Sequence, residues 1–481
     1  MQSNKGVYID GSWQQINSAS SELYNPSNGQ VIAQVAQADA AVTQQAIEAA
    51  RAAFDERRWT QLSPDQRCQI LWRIAELIQQ NSEELAWLES VNTGKPYQSC
   101  LQGEIPFAAQ CFRYYAGWIG KVDGAKRDLN GAPTDQFHAY SRLEPIGVAA
   151  LIVPWNGPLV QTAWKLAPAL AAGCSCILKP AELTPLTALR LAELVHEAGV
   201  PAGVVNIVTG RGSIVGTKLA SSDLVDKVSF TGSTATGRKI LQAAGANFKK
   251  LTLELGGKSP MFIFADADQE KAINGICDAI FSNAGQVCVA GSRVYIEEPI
   301  YDRVIEGVCA KALSLKVSTN FDPDVQMGPL ISDHQLNSVL RWVKQGVDAG
   351  ATLACGGQRL DRPGYFMQPT VFTDVDQTME IVQEEIFGPV LCAAKFNGTA
   401  QAIELANDNI YGLAASIWTA DIEKSNLLSA SIKAGLVWVN CHGIPDMNIP
   451  FGGFKQSGWG RENGYEGLTQ YMQSKSIIVG S

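Results

Sequence analysis

Three side chains in this sequence could carry covalent carbonyl chemistry. Cys288 sits in Gly285-Gln286-Val287-Cys288-Val289-Ala290-Gly291, between glycines and beside β-branched neighbours. A thiol in such a setting is either inert packing or, once deprotonated, a nucleophile for an electrophilic carbon. Glu254 lies in Leu253-Glu254-Leu255-Gly256-Gly257-Lys258, at the end of an apolar strand. Acids avoid such places unless paired or put to use, and burial raises a carboxyl's pKa toward that of a general base. Asn156, in Pro154-Trp155-Asn156-Gly157-Pro158, has an amide that can stabilise an oxyanion or simply cap the helix starting near Pro158.

A second set of residues suits a phosphate-bearing ligand. Parallel sheets bind ligands at the carboxyl ends of their strands, where helix N-termini offer unpaired N–H groups. Two glycine patterns compete for that role. Gly210-Arg211-Gly212-Ser213-Ile214-Val215-Gly216 is one residue too long for a GxGxxG turn, whereas Gly232-Ser233-Thr234-Ala235-Thr236-Gly237 follows the strand Val228 to Phe230 and is preferred. Gly232 would let the backbone approach a diphosphate and Ser233 would donate a hydroxyl, although a helix capped for structural reasons looks the same. Arg238-Lys239 after Gly237 rules out a Walker A loop. In Lys179-Pro180-Ala181-Glu182, one cation and one carboxylate stand where an adenosine ribose could lie, or form a surface ion pair.

The elements that must position these groups are legible as rhythm. Residues 44 to 120 read as helices, with Ile70, Leu71, Ile74, Leu77 and Ile78 at helical spacing. From residue 146 short apolar runs (Gly147 to Val153, Cys174 to Leu178, Val204 to Val208, Lys227 to Phe230, Leu251 to Leu255) alternate with helical stretches (Leu159 to Ala172, Pro185 to Ala198, Gly232 to Ala244). That alternation predicts a parallel sheet wound with helices, ending near residue 256. A second series follows, from Met261 to Phe264 through Leu436 to Val439. Two such units imply a cleft between them. Gln136 to Leu143 and Tyr471 to Val479 alternate as strands outside either series and suggest a ribbon or an oligomer contact.

Composition excludes several functions. Lys and Arg number 38 against 47 Asp and Glu, a net charge of −9, so no basic field would gather nucleic acid or an anionic membrane. The least polar stretch, Ile146 to Leu178, is broken by Pro154, Pro158, Lys165 and Pro168, and the chain opens without a basic, then apolar, leader. No signal peptide and no membrane span are expected. Eleven cysteines with no CxxC, and four histidines with no HExxH, predict reduced thiols in a cytoplasm and no metal site.

Together, Pro154-Trp155-Asn156, Lys179-Pro180-Ala181-Glu182, Phe230-Thr231-Gly232-Ser233-Thr234, Leu253 to Lys258, Gly285 to Cys288, Glu384-Glu385-Ile386-Phe387-Gly388-Pro389 and Pro450-Phe451-Gly452-Gly453-Phe454-Lys455-Gln456-Ser457-Gly458 resemble the NAD(P)-dependent aldehyde dehydrogenases of the hydrolytic, acid-forming branch. The seven motifs stand in the family's order and span nearly the whole chain. The resemblance implies an α/β fold of two doubly wound parallel-sheet domains with a small β oligomerisation ribbon. The Rossmann-like cofactor domain would comprise 1–121 and 145–256, the catalytic domain 257–465, and the ribbon 122–144 and 466–481, in a homodimer or homotetramer. It also implies Cys288 as nucleophile, Asn156 as half of an oxyanion hole, Glu254 as general base and Glu462 as a participant in proton relay. Pro154, Trp155, Lys179, Glu182, Gly232, Ser233, Glu385 and Phe387 would contact the cofactor. Glu182 would accept a ribose 2′-hydroxyl and repel a 2′-phosphate, favouring NAD over NADP.

Gly157, Gln161, Trp164, Val287, Val289, His442 and Phe451 are the expected substrate-pocket positions, with Cys441 to Pro445 closing the entrance. Gly157 and Gln161 stand where bulky apolar residues are common in the family, which predicts a roomy pocket for a medium or bulky apolar or aromatic aldehyde. Three rivals remain: a coenzyme A-acylating or a semialdehyde-specific enzyme of the same fold, and a non-redox cysteine hydrolase with His442 as base.

Overall fold

The computed structural model describes residues 6–16, 19–133, 135–245 and 247–480. The first five residues of the expected cofactor unit and the last of the expected ribbon lie outside the described residues. The helical block comprises α1 (Ala40–Asp55), α2 (Pro64–Gln80), α3 (Ser82–Thr93) and α4 (Ile105–Ala116). α2 starts where Pro64 fixes its first φ and Ser63 and Gln66 exchange side-chain and backbone bonds in a capping box. Its face Leu71, Ile74, Ala75, Leu77 and Ile78 is fully buried against α4.

Five apolar runs form the parallel core of the first sheet: β1 (Val148–Ile152), β2 (Ser175–Lys179), β3 (Val205–Ile207), β4 (Lys227–Thr231) and β5 (Lys250–Glu254). The first four are buried at every residue, as strands covered by helices on both faces must be. Their order is β5-β4-β1-β2-β3, with Val7–Ile9 and Ser12–Gln14 beyond β3 and Gly458–Trp459 beyond β5. The winding reverses between β1 and β4, the point where doubly wound sheets open a crevice. Lys179, Ile152 and Phe230 share one line across this edge, and Thr231 pairs with Glu254. The helices α5 (Pro158–Ala172), α6 (Leu186–Glu197) and α7 (Thr234–Ala244) follow β1, β2 and β4.

After α8 (Gln269–Phe281), whose neighbours in the chain are β6 (Pro260–Ile263) and β7 (Arg293–Glu297), come β8 (Thr370–Thr373), β9 (Val390–Phe396), β10 (Ala414–Trp418) and β11 (Leu436–Val439). They form a second sheet, β8-β9-β7-β6-β10-β11, parallel throughout, with Thr352–Cys355 antiparallel on the β8 edge. The two strands that sequence left without a sheet pair with each other: Phe137–Pro145 runs antiparallel to Met472–Gly480 over its whole length, and Ala125–Arg127 adds a third strand. Residues 458–459, within the stretch expected for the catalytic unit, cross over to the first sheet, where Gly458 pairs with Glu254.

Candidate active site

Cys288 follows α8 through a turn that the backbone makes in an uncommon way. Asn283, Ala284 and Gly285 all have φ between +48° and +70°, a region that costs a residue with a Cβ roughly 1–2 kcal/mol. Gly285 has no substitute here, since a Cβ would stand 2.1 Å from the Gly388 carbonyl. Side chains hold the turn in place. Gln286 is fully buried, accepts the Ile331 N–H at 2.8 Å and donates to the Asn283 carbonyl at 3.0 Å. The Asn156 amide donates to the Gln286 carbonyl at 3.0 Å. Asn156 therefore does not cap α5, whose first turn has no side-chain cap; it ties the end of β1 to the cysteine loop and keeps one N–H in reserve.

The half-buried Cys288 lies at a junction between two spaces. One is a cleft of about 290 Å³ walled by Pro154, Trp155, Thr231, Gly232, Ser233, Glu254, Glu385 and Phe387. The other is a cavity of about 850 Å³. Asn156, Gln161 and Cys288 line both. Cys288 is thus common to both spaces, and burial, next to Glu254 and Glu385, raises its pKa, while the backbone N–H groups of Val289 and Cys288 act to lower it. A thiol in this state needs a proton acceptor before it can attack.

Glu254 ends β5 almost wholly buried, and neither carboxylate oxygen has a hydrogen-bond partner. Burial, reinforced by the charge of Glu462, drives its pKa far above the usual carboxylate range. Glu462 lies behind it, in a buried ion pair with Lys165 of α5, and accepts the Ser229 hydroxyl at 3.2 Å. Two carboxyls thus share one interior region with only one of them paired.

The cleft side collects most of the residues expected to meet a cofactor. Gly232 follows β4 and lines the cleft, and a Cβ there would stand 2.6 Å from the Phe230 ring, which would have to shift to admit one. Ser233 both lines the cleft and caps α7 by accepting the Thr236 N–H, so the capping reading of this residue holds as well. Glu385 accepts the Gly257 N–H at 3.1 Å and is pushed up to about 7 by burial. Phe387, at φ +55°, meets Trp155 edge to face with ring centroids 5.2 Å apart, and Gln335 donates to its carbonyl at 2.8 Å. Lys179 and Glu182 stand at the same edge of the sheet but outside the cleft walls. Lys179 is buried, donates to the Pro180 carbonyl at 3.1 Å and is lowered to about 8 by burial. Exposed Glu182 accepts the Gly212 N–H at 2.7 Å, in the glycine turn set aside by the sequence reading.

On the cavity side, Gly157, Gln161, Trp164, Val287, Val289 and Phe451 all line the wall, with Gly443, Ile444 and Pro445 at one side. His442 does not. It sits behind Val289, where Nε2 meets the Val289 carbonyl at 2.7 Å and Nδ1 the Ser416 hydroxyl at 3.2 Å, and burial lowers its pKa to about 4. Both ring nitrogens are engaged away from the sulfur, which removes the basis for a hydrolase using His442 as base. Sequence reasoning missed Asn283, Gln286 and the Lys95–Glu104 ion pair on the cavity wall. Ser282-Asn283-Ala284-Gly285 after a helix was a readable turn signal; the ion pair, distant in sequence from Cys288, had none.

The aldehyde dehydrogenase family model matches residues 13–477. The chain is 46% identical to "Aldehyde dehydrogenase family 2 member B4, mitochondrial" of Arabidopsis thaliana, covering 99% of this chain and 88% of the relative. It is 45% identical to "Benzaldehyde dehydrogenase, mitochondrial" of Antirrhinum majus, covering 95% and 85%. Among solved structures, an NAD+ complex of aldehyde dehydrogenase from Bacillus cereus superposes with a TM-score of 0.96 at 42% identity, over 99% of this chain and 96% of that one.

Proposed function

Given that the chain belongs to the aldehyde dehydrogenase family, we propose that it oxidises an aldehyde to a carboxylic acid through a covalent adduct on Cys288, with NAD as the dinucleotide. The observation that carries this is the junction: Cys288 borders a wide cavity on one side and a strand-end cleft on the other. The cleft fits a dinucleotide because it combines the topological switch point, the N-terminus of α7 and a glycine, Gly232, at the turn between β4 and that helix. Gly232 and Ser233 would hold the diphosphate, Glu385 and Phe387 the nicotinamide riboside, and Lys179 and Glu182 the adenosine ribose beyond the cleft. When bound, the nicotinamide supplies the hydride acceptor.

Glu254, in its carboxylate form, takes the thiol proton and passes it toward Glu462 and Lys165, and the Cys288 thiolate attacks the carbonyl carbon. The second N–H of Asn156 and the Cys288 backbone N–H stabilise the tetrahedral oxyanion, an interaction of the kind whose loss costs about 3 kcal/mol. Loss of hydride leaves a thioester. Glu254 then takes a proton from water, which attacks the thioester and releases the acid. No protein hydrogen bond holds either of its oxygens, and the residue lines the cleft beside Cys288. Glu462, with Lys165, receives the proton onward.

The cavity supports a medium or bulky apolar or aromatic aldehyde. Phe107, Val160, Trp164, Leu436, Trp438, Ile449 and Phe451 give its wall large apolar and aromatic surfaces, and among the described residues no arginine lines it to meet a phosphorylated aldehyde. The similarity to a benzaldehyde dehydrogenase points the same way. Among the described residues no helix is long and apolar enough to cross a membrane. The eleven cysteines are all free thiols, which fits a reducing cytoplasm. The exposed strand Met472–Gly480 offers an edge for assembly into a homodimer or homotetramer. Stopped-flow NADH fluorescence with a panel of aldehydes, with and without coenzyme A, tests the reading. A burst followed by free acid supports it, and accumulation of acyl-coenzyme A, or no NADH with any aldehyde, overturns it.

A further inference from the structure

The loop that carries Cys288 is held on both sides of the thiol. Before it, Gln286 is bonded to Asn156, Asn283 and Ile331. After it, the Val289 carbonyl meets His442 Nε2 at 2.7 Å. A carbonyl can only accept, so Nε2 carries the ring proton and Nδ1 is left with a lone pair. The Ser416 hydroxyl, 3.2 Å from Nδ1, supplies the matching hydrogen, since its oxygen is already the acceptor for the Trp418 indole N–H at 3.2 Å. Donors thus run in one direction, from Trp418 through Ser416 and His442 to Val289, and hold the imidazole in one tautomer. Ser416 is fully buried in β10 and lies in register with Trp438 of β11, whose ring tilts on the imidazole with centroids 4.9 Å apart. Two strands of the second sheet therefore set where His442 points.

We propose that His442 is a positioning residue for the nucleophile: by holding the Val289 carbonyl it fixes the backbone of Val289 with its N–H turned to the Cys288 sulfur. The carbonyl and the N–H of Val289 flank one Cα, so pinning the first restrains the second. An N–H aimed at sulfur favours the thiolate over the thiol, and here it works against burial beside Glu254 and Glu385. His442 itself does not exchange protons during the reaction, because burial lowers it to about 4 and leaves the ring neutral. The proposal rests on the reading of Cys288 as the nucleophile and adds a residue that acts on it from the second sheet.

The test follows alkylation of Cys288 by iodoacetamide between about pH 7 and pH 10, around the range where thiols titrate. The Cys288 peptide is read by mass spectrometry, because the chain has 11 cysteines. His442→Phe keeps a ring against Trp438 and removes the donor, His442→Leu removes it in a smaller side chain, and His442→Gln offers an amide N–H in place of the Nε2 donor. In the Phe and Leu variants the rising limb of rate against pH moves up by about half to one unit, so that alkylation at a given pH on the limb is about three- to tenfold slower, the value of one net hydrogen bond. In His442→Gln the limb returns toward its wild-type place. The NADH burst slows by a like factor in the donor-less variants, for every aldehyde alike. An unmoved limb in whichever donor-less variant folds overturns the positioning role, as does an equal displacement in Gln, Phe and Leu variants, which would mean that only the shape of the imidazole matters. Alkylation needs no aldehyde, so it judges His442 separately from the failure of every aldehyde to yield NADH, the result that would overturn the reading of Cys288.

Discussion

The cleft on one side of Cys288 is built on strand ends and the turns that follow them, with Gln335, Ser338 and Trp342 of the helix Asp333–Asp348 as a further wall; the cavity on the other is walled mainly by helix faces and loops. In the cleft, Trp155, Gly232 and Glu254 leave three neighbouring strands of one sheet, so their spacing is fixed by backbone hydrogen bonds. In the cavity, Glu104 and Phe107 come from the helical block, Gln161 and Trp164 from α5, and Leu436 to Ile449 from the end of the second sheet and the loop after it. Those surfaces meet through side chains alone. The first arrangement suits chemistry that must be the same for every substrate, and the second suits discrimination among substrates, because a side chain there can change without moving the sheet.

The largest expected effects break the chemistry common to both sides. Cys288→Ala removes the NADH burst and steady turnover alike, a loss on the order of 10⁴-fold or more for a nucleophile. Glu254→Gln slows the burst, because Cys288 loses its proton acceptor, and stalls the steady state by roughly 10²- to 10⁴-fold, the range of a general base. The losses should be alike for all aldehydes, as stopped-flow and steady-state assays on the same panel would reveal. Wild-type turnover in either variant, or a loss confined to one aldehyde, would contradict the division between cleft and cavity.

A subtler test uses pH. A buried Glu254 stays protonated above the normal carboxylate range, so turnover limited by thioester hydrolysis rises with pH as that proton is lost. Glu462→Gln removes the negative charge that helps hold the proton and leaves Lys165 unpaired, and both changes move the rising limb to lower pH. The same substitution breaks a buried ion pair and costs about 3–5 kcal/mol of stability, seen as a lower Tm. An unshifted limb would mean that the two carboxyls do not sense each other.

The same contrast explains what could be read before folding. Cys288, Glu254, Asn156 and Gly232 stand in short local patterns because strand–turn–helix geometry is written in adjacent residues. The strand runs were legible for the same reason, since burial on both faces demands unbroken apolar stretches. Gly458–Trp459 was not legible, being two residues whose place beside Glu254 is set by tertiary pairing. Ala125–Arg127 likewise has no periodicity to betray it. His442 was misplaced because Gly443, Ile444 and Pro445 after it line the cavity, while its ring turns back to Val289 and Ser416 and Cys441 before it stays off the wall. No local pattern announces which way one ring faces.

On the cavity side, a substitution should change ratios and leave the chemistry running. Trp438 lines the cavity, and its indole N–H donates to the Ile444 carbonyl at 3.3 Å, so it joins the end of β11 to the loop beside the cavity. Trp438→Ala enlarges the space and frees that loop. Bulky aromatic aldehydes lose contact area and short ones lose little, because they never reach the ring. The expected change in the kcat/KM ratio of a bulky to a short aldehyde is about 10- to 200-fold, the range open to apolar contacts in a pocket. Glu182→Gln is expected to do still less. It keeps a hydrogen-bonding group opposite a ribose hydroxyl and removes only the charge that would repel a 2′-phosphate, at an exposed site where solvent screens it. NADP efficiency should therefore rise several-fold relative to NAD, on the order of 1 kcal/mol for a screened charge pair, with no change in the order of preferred aldehydes. A shift in aldehyde preference from this position, at the edge of the sheet and outside both spaces, would mean that the cofactor side and the substrate side are coupled through more than the one sulfur they share.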